Sequence, residues 1–89
     1  AVLTPEAIAG GPDGAVVVAD TGNHRLAKFG PSGAFGRMWG GFGEREGQFH
    51  QPSSVAVAGD NTIFVADRGN GRIQSFRVGG EFLRAWPVP

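Results

Sequence analysis

Cysteine is absent from the 89 residues. That excludes a disulfide framework, a thiolate metal site and a cysteine nucleophile, and it leaves the redox compartment open. An excess of charge is also missing, because eight basic and eight acidic residues cancel. A neutral balance exerts no long-range pull on nucleic acid or on an anionic membrane. No apolar run approaches the length of a membrane span, and the N-terminus lacks the basic-then-apolar pattern of a signal peptide. The default expectation is a cytoplasmic chain with no membrane partner. It begins at Ala1 rather than Met, which reads as a processed or excised piece. Tyrosine is absent too, whereas there are 16 glycines, 7 phenylalanines and 2 tryptophans. That mix suits short strands joined by tight turns better than helices. The length allows one small domain that buries a modest share of its surface.

The chain contains one stretch twice. Val16-Val17-Val18-Ala19-Asp20-Thr21-Gly22-Asn23-His24-Arg25-Leu26 returns as Ile63-Phe64-Val65-Ala66-Asp67-Arg68-Gly69-Asn70-Gly71-Arg72-Ile73. From Asp20 to Asp67 the shift is 47 residues, and it needs no gap. The same shift carries Pro5 to Pro52, Phe29 to Phe76, Phe35 to Phe82, Arg37 to Arg84 and Trp39 to Trp86. A period of about 20 to 50 residues signals stacked repeat architectures such as solenoids or propellers.

Each copy reads as four short strands. Thr4-Pro5-Glu6 resembles a helix start, but Gly10-Gly11-Pro12 follows too soon for a useful helix. The expected strands are 6–10, 15–19, 25–29 and 34–39 in the first copy, and 53–58, 62–66, 72–77 and 81–86 in the second. Gly11-Pro12-Asp13-Gly14 and Gly59-Asp60-Asn61-Thr62 are expected hairpin turns, where Asp and Asn bond their own backbone and Gly tolerates positive φ. Val16-Val17-Val18 and Ile63-Phe64-Val65 are apolar on both alternating faces, so both second strands are expected to be covered on both sides. Residues 41–51 link the copies, and their two aromatics, Phe42 and Phe49, are expected to tuck between the sheets.

The run Val-Ala-Asp-x-Gly-Asn-x-Arg-Leu/Ile, followed by Phe, by Gly-x-Phe and by Trp, together with the linker Gly-x-Gly-x-x-x-Gly-x-Phe-x-x-Pro, resembles NHL repeats. The resemblance covers nearly the whole chain. Asn23-His24-Arg25-Leu26 is close to the namesake tripeptide, and Asn70-Gly71-Arg72-Ile73 departs from it at the His position. The resemblance implies an all-β chain of two four-stranded antiparallel propeller blades: blade 1 over 1–40, an interblade linker over 41–51 and blade 2 over 52–89. Family propellers commonly hold about six blades, and this chain supplies two. Two blades alone expose two apolar faces, and repeat units need neighbours to bury a continuous core. The expectation is a head-to-tail homotrimer that closes one six-bladed ring, with interfaces of the obligate class, about 2,000 Å² or more. The alternative is an excerpt of a longer protein that carries the other blades covalently.

Asp20 with Arg25, and Asp67 with Arg72, have the residue types of an acid–base pair. Their recurrence at the same turn favours architecture, as does the ability of Asp to bond turn amides and of Arg to pair with it. Asp20, Asn23, Asp67 and Asn70 are therefore read as structural turn residues. His24, Arg25, Arg45, His50, Arg68 and Arg72 are expected to share one loop face, the candidate surface for a partner. No catalytic, cofactor-binding or metal-binding residue is assigned, and no cofactor is expected. The function read from these features is a non-enzymatic binding or scaffold module that assembles with itself and presents this face to a protein partner. The resemblance also allows an RNA-binding face, and a metal-dependent lyase or lactonase as a further alternative.

Overall fold

The computed structural model describes residues 3–89, so the first two residues of the blade read from position 1 lie outside the described residues. Strands β1 (Ala7–Gly10), β2 (Val16–Asp20), β3 (Arg25–Phe29) and β4 (Phe35–Gly40) form one antiparallel sheet in chain order. Strands β5 (Pro52–Val57), β6 (Ile63–Asp67), β7 (Arg72–Phe76) and β8 (Phe82–Pro87) form a second sheet of the same design. The chain is thus all-β, two blades of four strands each. β2 and β6 extend one residue beyond the apolar runs, because Asp20 and Asp67 still pair with Arg25 and Arg72 in the ladder.

Local chemistry sets the turns. Asp13 accepts the Ala15 N–H at 2.9 Å and Asp60 accepts the Thr62 N–H at 3.0 Å, so each carboxylate pins the mouth of its hairpin. Between β2 and β3, and between β6 and β7, the chain makes a single 3₁₀ turn, Thr21–Asn23 and Arg68–Asn70. The residue that ends each turn is left-handed: His24 at φ 54° and Gly71 at φ 60°. That requirement accounts for the departure from the tripeptide in the second copy, since glycine occupies this region without steric cost.

The two sheets stack face to face. In register, Ala7, Ala19, Leu26 and Trp39 share one face of blade 1, with Val17 in the neighbouring row. Val55 and Val65, with Ile63, Phe76 and Phe82, share the opposing face of blade 2. Val17, Ala19, Leu26, Phe49, Ile63, Val65 and Phe76 form one buried cluster, onto which Ala7, Trp39, Val55, Val57 and Phe82 pack. The Thr21 hydroxyl donates to the Pro52 carbonyl at 2.6 Å and Lys28 Nζ donates to the Val78 carbonyl at 2.8 Å, so polar bonds also cross between the blades.

The outer faces meet the expectation of two-sided cover only in part: Val18 and Ala27 are buried on the outer side of blade 1, and the exposed apolar residues lie at its edges. β2 meets blade 2 on one side, while its other side belongs to a face bearing Ile8, Val16, Phe29 and Phe35; Ile8 is 70% exposed and Phe35 59%. β6 meets blade 1 on one side, while Phe64, Ala66, Ile73 and Trp86 lie on the other and are only partly covered.

Candidate functional site

The loops that join β2 to β3 and β6 to β7 meet the interblade linker at one end of the sheets. Asp20 and Asp67 organise this end, and both are completely buried. Asp67 accepts from the His50 N–H at 2.8 Å, Arg72 Nε at 2.8 Å, Asn70 Nδ2 at 3.0 Å and Gln74 Nε2 at 3.2 Å. Asp20 accepts from the Thr4 N–H at 2.7 Å, Arg25 Nε at 2.8 Å and Asn23 Nδ2 at 3.1 Å. A buried carboxylate supplied with this many donors is held in place and fixes the turn around it.

Burial alone pushes the Asp20 pKa up. The bond from the Thr4 N–H and those from the Arg25, Asn23 and Thr4 side chains outweigh it and hold the carboxyl below its ordinary value. A folded-state pKa below the unfolded one gives stability that is complete above about pH 4 and is lost as pH falls through the folded value. Urea melts between pH 5 and pH 2 should therefore show falling stability, with a shallower fall in Asp20→Asn, which has no carboxylate to protonate. Equal steepness in the two chains would remove Asp20 as a source of the acid sensitivity.

Arg72 does more than pair with Asp67. Its Nη1 donates to the Glu44 carbonyl at 2.8 Å, and its Nη2 donates to the carbonyls of Arg45 at 2.9 Å and Gln48 at 3.0 Å. Gln74, completely buried, adds a bond from Nε2 to the Gln48 carbonyl at 2.7 Å and accepts the Gly47 N–H at 2.9 Å. Asn70 Nδ2 donates to the Gly43 carbonyl at 2.8 Å. The linker is thus hung from blade 2 by its backbone. In blade 1, Arg25 keeps the Asp20 contact, but its buried Nη2 has no partner among the described residues. Gln74 was missed by sequence reading, since carbonyl acceptors leave no mark in a sequence.

The linker aromatics part company. Phe49 is completely buried and stacks near Phe76, with ring centroids 5.7 Å apart. It fits because Gly40, at φ 109°, has no side chain: a Cβ there would lie 2.7 Å from the Phe49 ring. Phe42 does not tuck between the sheets and is 66% exposed. It meets His24 edge-on at 4.9 Å and His50 at 5.1 Å, and the two imidazoles lie 5.7 Å apart. His24 Nδ1 accepts the Gln51 N–H at 3.0 Å, which leaves Nε2 as its other nitrogen.

Of the six candidate face residues, His24 and His50 therefore join in one cluster with Phe42. Arg25 and Arg72 are engaged by buried carboxylates, and Arg45 and Arg68 are exposed. A groove of about 260 Å³ runs beside the cluster, lined by Phe42, Gly43, Glu44, His50, Gly69 and Asn70. Among the described residues, no group of three or more His, Cys, Asp or Glu is placed to hold a metal ion.

Comparison with solved structures finds the same fold. A protein of Bacteroides fragilis NCTC 9343 matches with a TM-score of 0.82 and 23% identity over 100% of this chain and 26% of its own. A streptogramin B lyase matches with a TM-score of 0.76 and 18% identity over 96% of this chain and 26% of its own. Regucalcin of Agrobacterium tumefaciens C58, described as a calcium-binding protein, matches with a TM-score of 0.70 and 20% identity over 96% of this chain and 30% of its own. The chain therefore spans between a quarter and a third of these proteins. No curated protein sequence gives a significant match. The NHL repeat model matches residues 3–29 and again 49–76, one segment in each blade and more than half of the chain, which belongs to the NHL repeat family.

Proposed function

We propose that this pair of blades is a non-catalytic scaffold that associates with copies of itself, three chains completing a six-bladed ring, and offers its loop end to a protein partner. The observation that carries the reading is that both outer sheet faces bear exposed large apolar side chains, with Ile8 at 70%, Phe35 at 59% and Trp86 at 36% exposure. Large apolar side chains left exposed on sheet faces support association. The loop end supports the second half of the reading through Phe42, an exposed aromatic that meets His24 and His50 edge-on beside a groove. Exposed aromatic anchors are favoured at protein interfaces.

The alternatives have less support. An RNA-binding face needs free cations, and Arg72 donates to Asp67 and to three linker carbonyls. An acid–base role needs a carboxylate with room for substrate, and Asp20 and Asp67 are buried and fully bonded. Thermal melting as a function of chain concentration tests the reading. Association that is coupled to stability makes Tm rise with concentration. A hundredfold increase should raise it by several degrees, whereas a constant Tm in a well-folded chain would refute self-association.

A further inference from the structure

The contact that joins the two blades is itself a specimen of a contact that the outer faces are built to repeat. Inside the molecule, Trp39 of blade 1 lies over blade 2, its ring 6.0 Å from Phe76 at an interplanar angle of 63°. Phe76 in turn meets Phe82 edge-on, at 6.0 Å and 75°. The 47-residue shift converts this donor and this receptor into residues of the outer faces. Trp39 corresponds to Trp86, on the open face of blade 2. Phe76 and Phe82 correspond to Phe29 and Phe35, on the open face of blade 1.

The receptor is already formed. Phe29 and Phe35 meet at 5.9 Å and 74°, nearly the geometry of the covered pair, although Phe35 is 59% exposed. Part of the surroundings corresponds, although Gly10 stands where the covered face has Val57. Val17, Ala19 and Leu26, which accompany Trp39, become Phe64, Ala66 and Ile73, which accompany Trp86. Ile63 and Val65, which accompany Phe76, become Val16 and Val18. The Ile63 and Val17 rows meet inside the molecule, and between molecules the Val16 row would meet the bulkier Phe64 row.

We infer that a second copy of the chain docks head to tail, with Trp86 of one copy seated on the Phe29–Phe35 pair of the next, in the geometry that Trp39 takes on Phe76 and Phe82. The inference rests on the self-association proposed above and adds the anchor residues of the contact. The contact is heterologous, so neither face pairs with itself.

Two variants separate the faces. Phe35→Glu spoils the receptor and keeps Trp86, whereas Trp86→Glu spoils the donor and keeps the receptor. Both positions are exposed, so both chains should keep the far-ultraviolet circular dichroism of the parent. Each variant alone should sediment as a 9.3 kDa monomer. An equimolar mixture should give a one-to-one dimer and nothing larger, since one donor and one receptor remain. Phe35→Ala and Trp86→Ala, gentler changes, should weaken association by at least about 30-fold, as truncating a central aromatic anchor does. A dimer formed by either Glu variant on its own, or a mixture that stays monomeric while the parent chain assembles, would overturn the head-to-tail contact and leave self-association standing. A parent chain that is itself monomeric would overturn both.

Discussion

Ile63→Asp should leave no cooperatively folded chain. Ile63 is 1% exposed and lies in register between Val57 and Phe76, in the cluster that joins the blades. A carboxylate there would be buried in the apolar cluster, while Lys28, which lines the same small cavity, already donates to the Val78 carbonyl, and burying the charge costs several kcal/mol. The total stability of a small domain is about 5 kcal/mol, toward the low end for folded proteins. The urea melt followed by circular dichroism should therefore lose its sigmoidal transition. Phe64→Asp is the matched control. Phe64 is the next residue along β6 and points to the opposite, open face, so that variant should stay folded. If Phe64→Asp unfolded the chain as completely, the assignment of covered and open faces would be wrong.

Asp67→Ala should cost about 3–5 kcal/mol, the effect of removing one partner of a buried ion pair. The change strips Arg72 of its counterion and leaves the His50 N–H without an acceptor. Since Arg72 and Gln74 both hold the linker and both bond Asp67, the linker should loosen first. Hydrogen exchange at residues 43–50 should quicken more than exchange in β2. Asp20→Ala should cost less, because among the described residues Arg25 holds no linker carbonyl and its Nη2 has no partner. Equal losses in the two variants would show that the linker contributes nothing through Arg72.

Much of the blade was legible because its signals are local. Asp and Arg five residues apart across a Gly-Asn turn fall into ladder register, and the structure joins them at 2.8 Å in both copies. The ungapped 47-residue shift also carries the register, so Leu26 opposite Trp39 becomes Ile73 opposite Trp86. What was not legible depends on position in three dimensions. Phe42 and Phe49 are the same residue type in the same linker, yet one is 66% exposed and the other completely buried. The difference arises from the space above Gly40, which alternation cannot encode. The anchoring of the linker was hidden for another reason: its acceptors are the carbonyls of Glu44, Arg45 and Gln48, which any residue supplies. Covered and open faces also look alike in sequence, because Val16, Val17 and Val18 are equally apolar while alternate residues face opposite ways.

The account depends on the two blades having more apolar sheet than they cover by themselves. Sedimentation equilibrium of the parent chain at micromolar concentration tests this most directly. The predicted result is a single species with the mass of three 9.3 kDa chains. A folded particle with the mass of one chain, unchanged up to millimolar concentration, would contradict it.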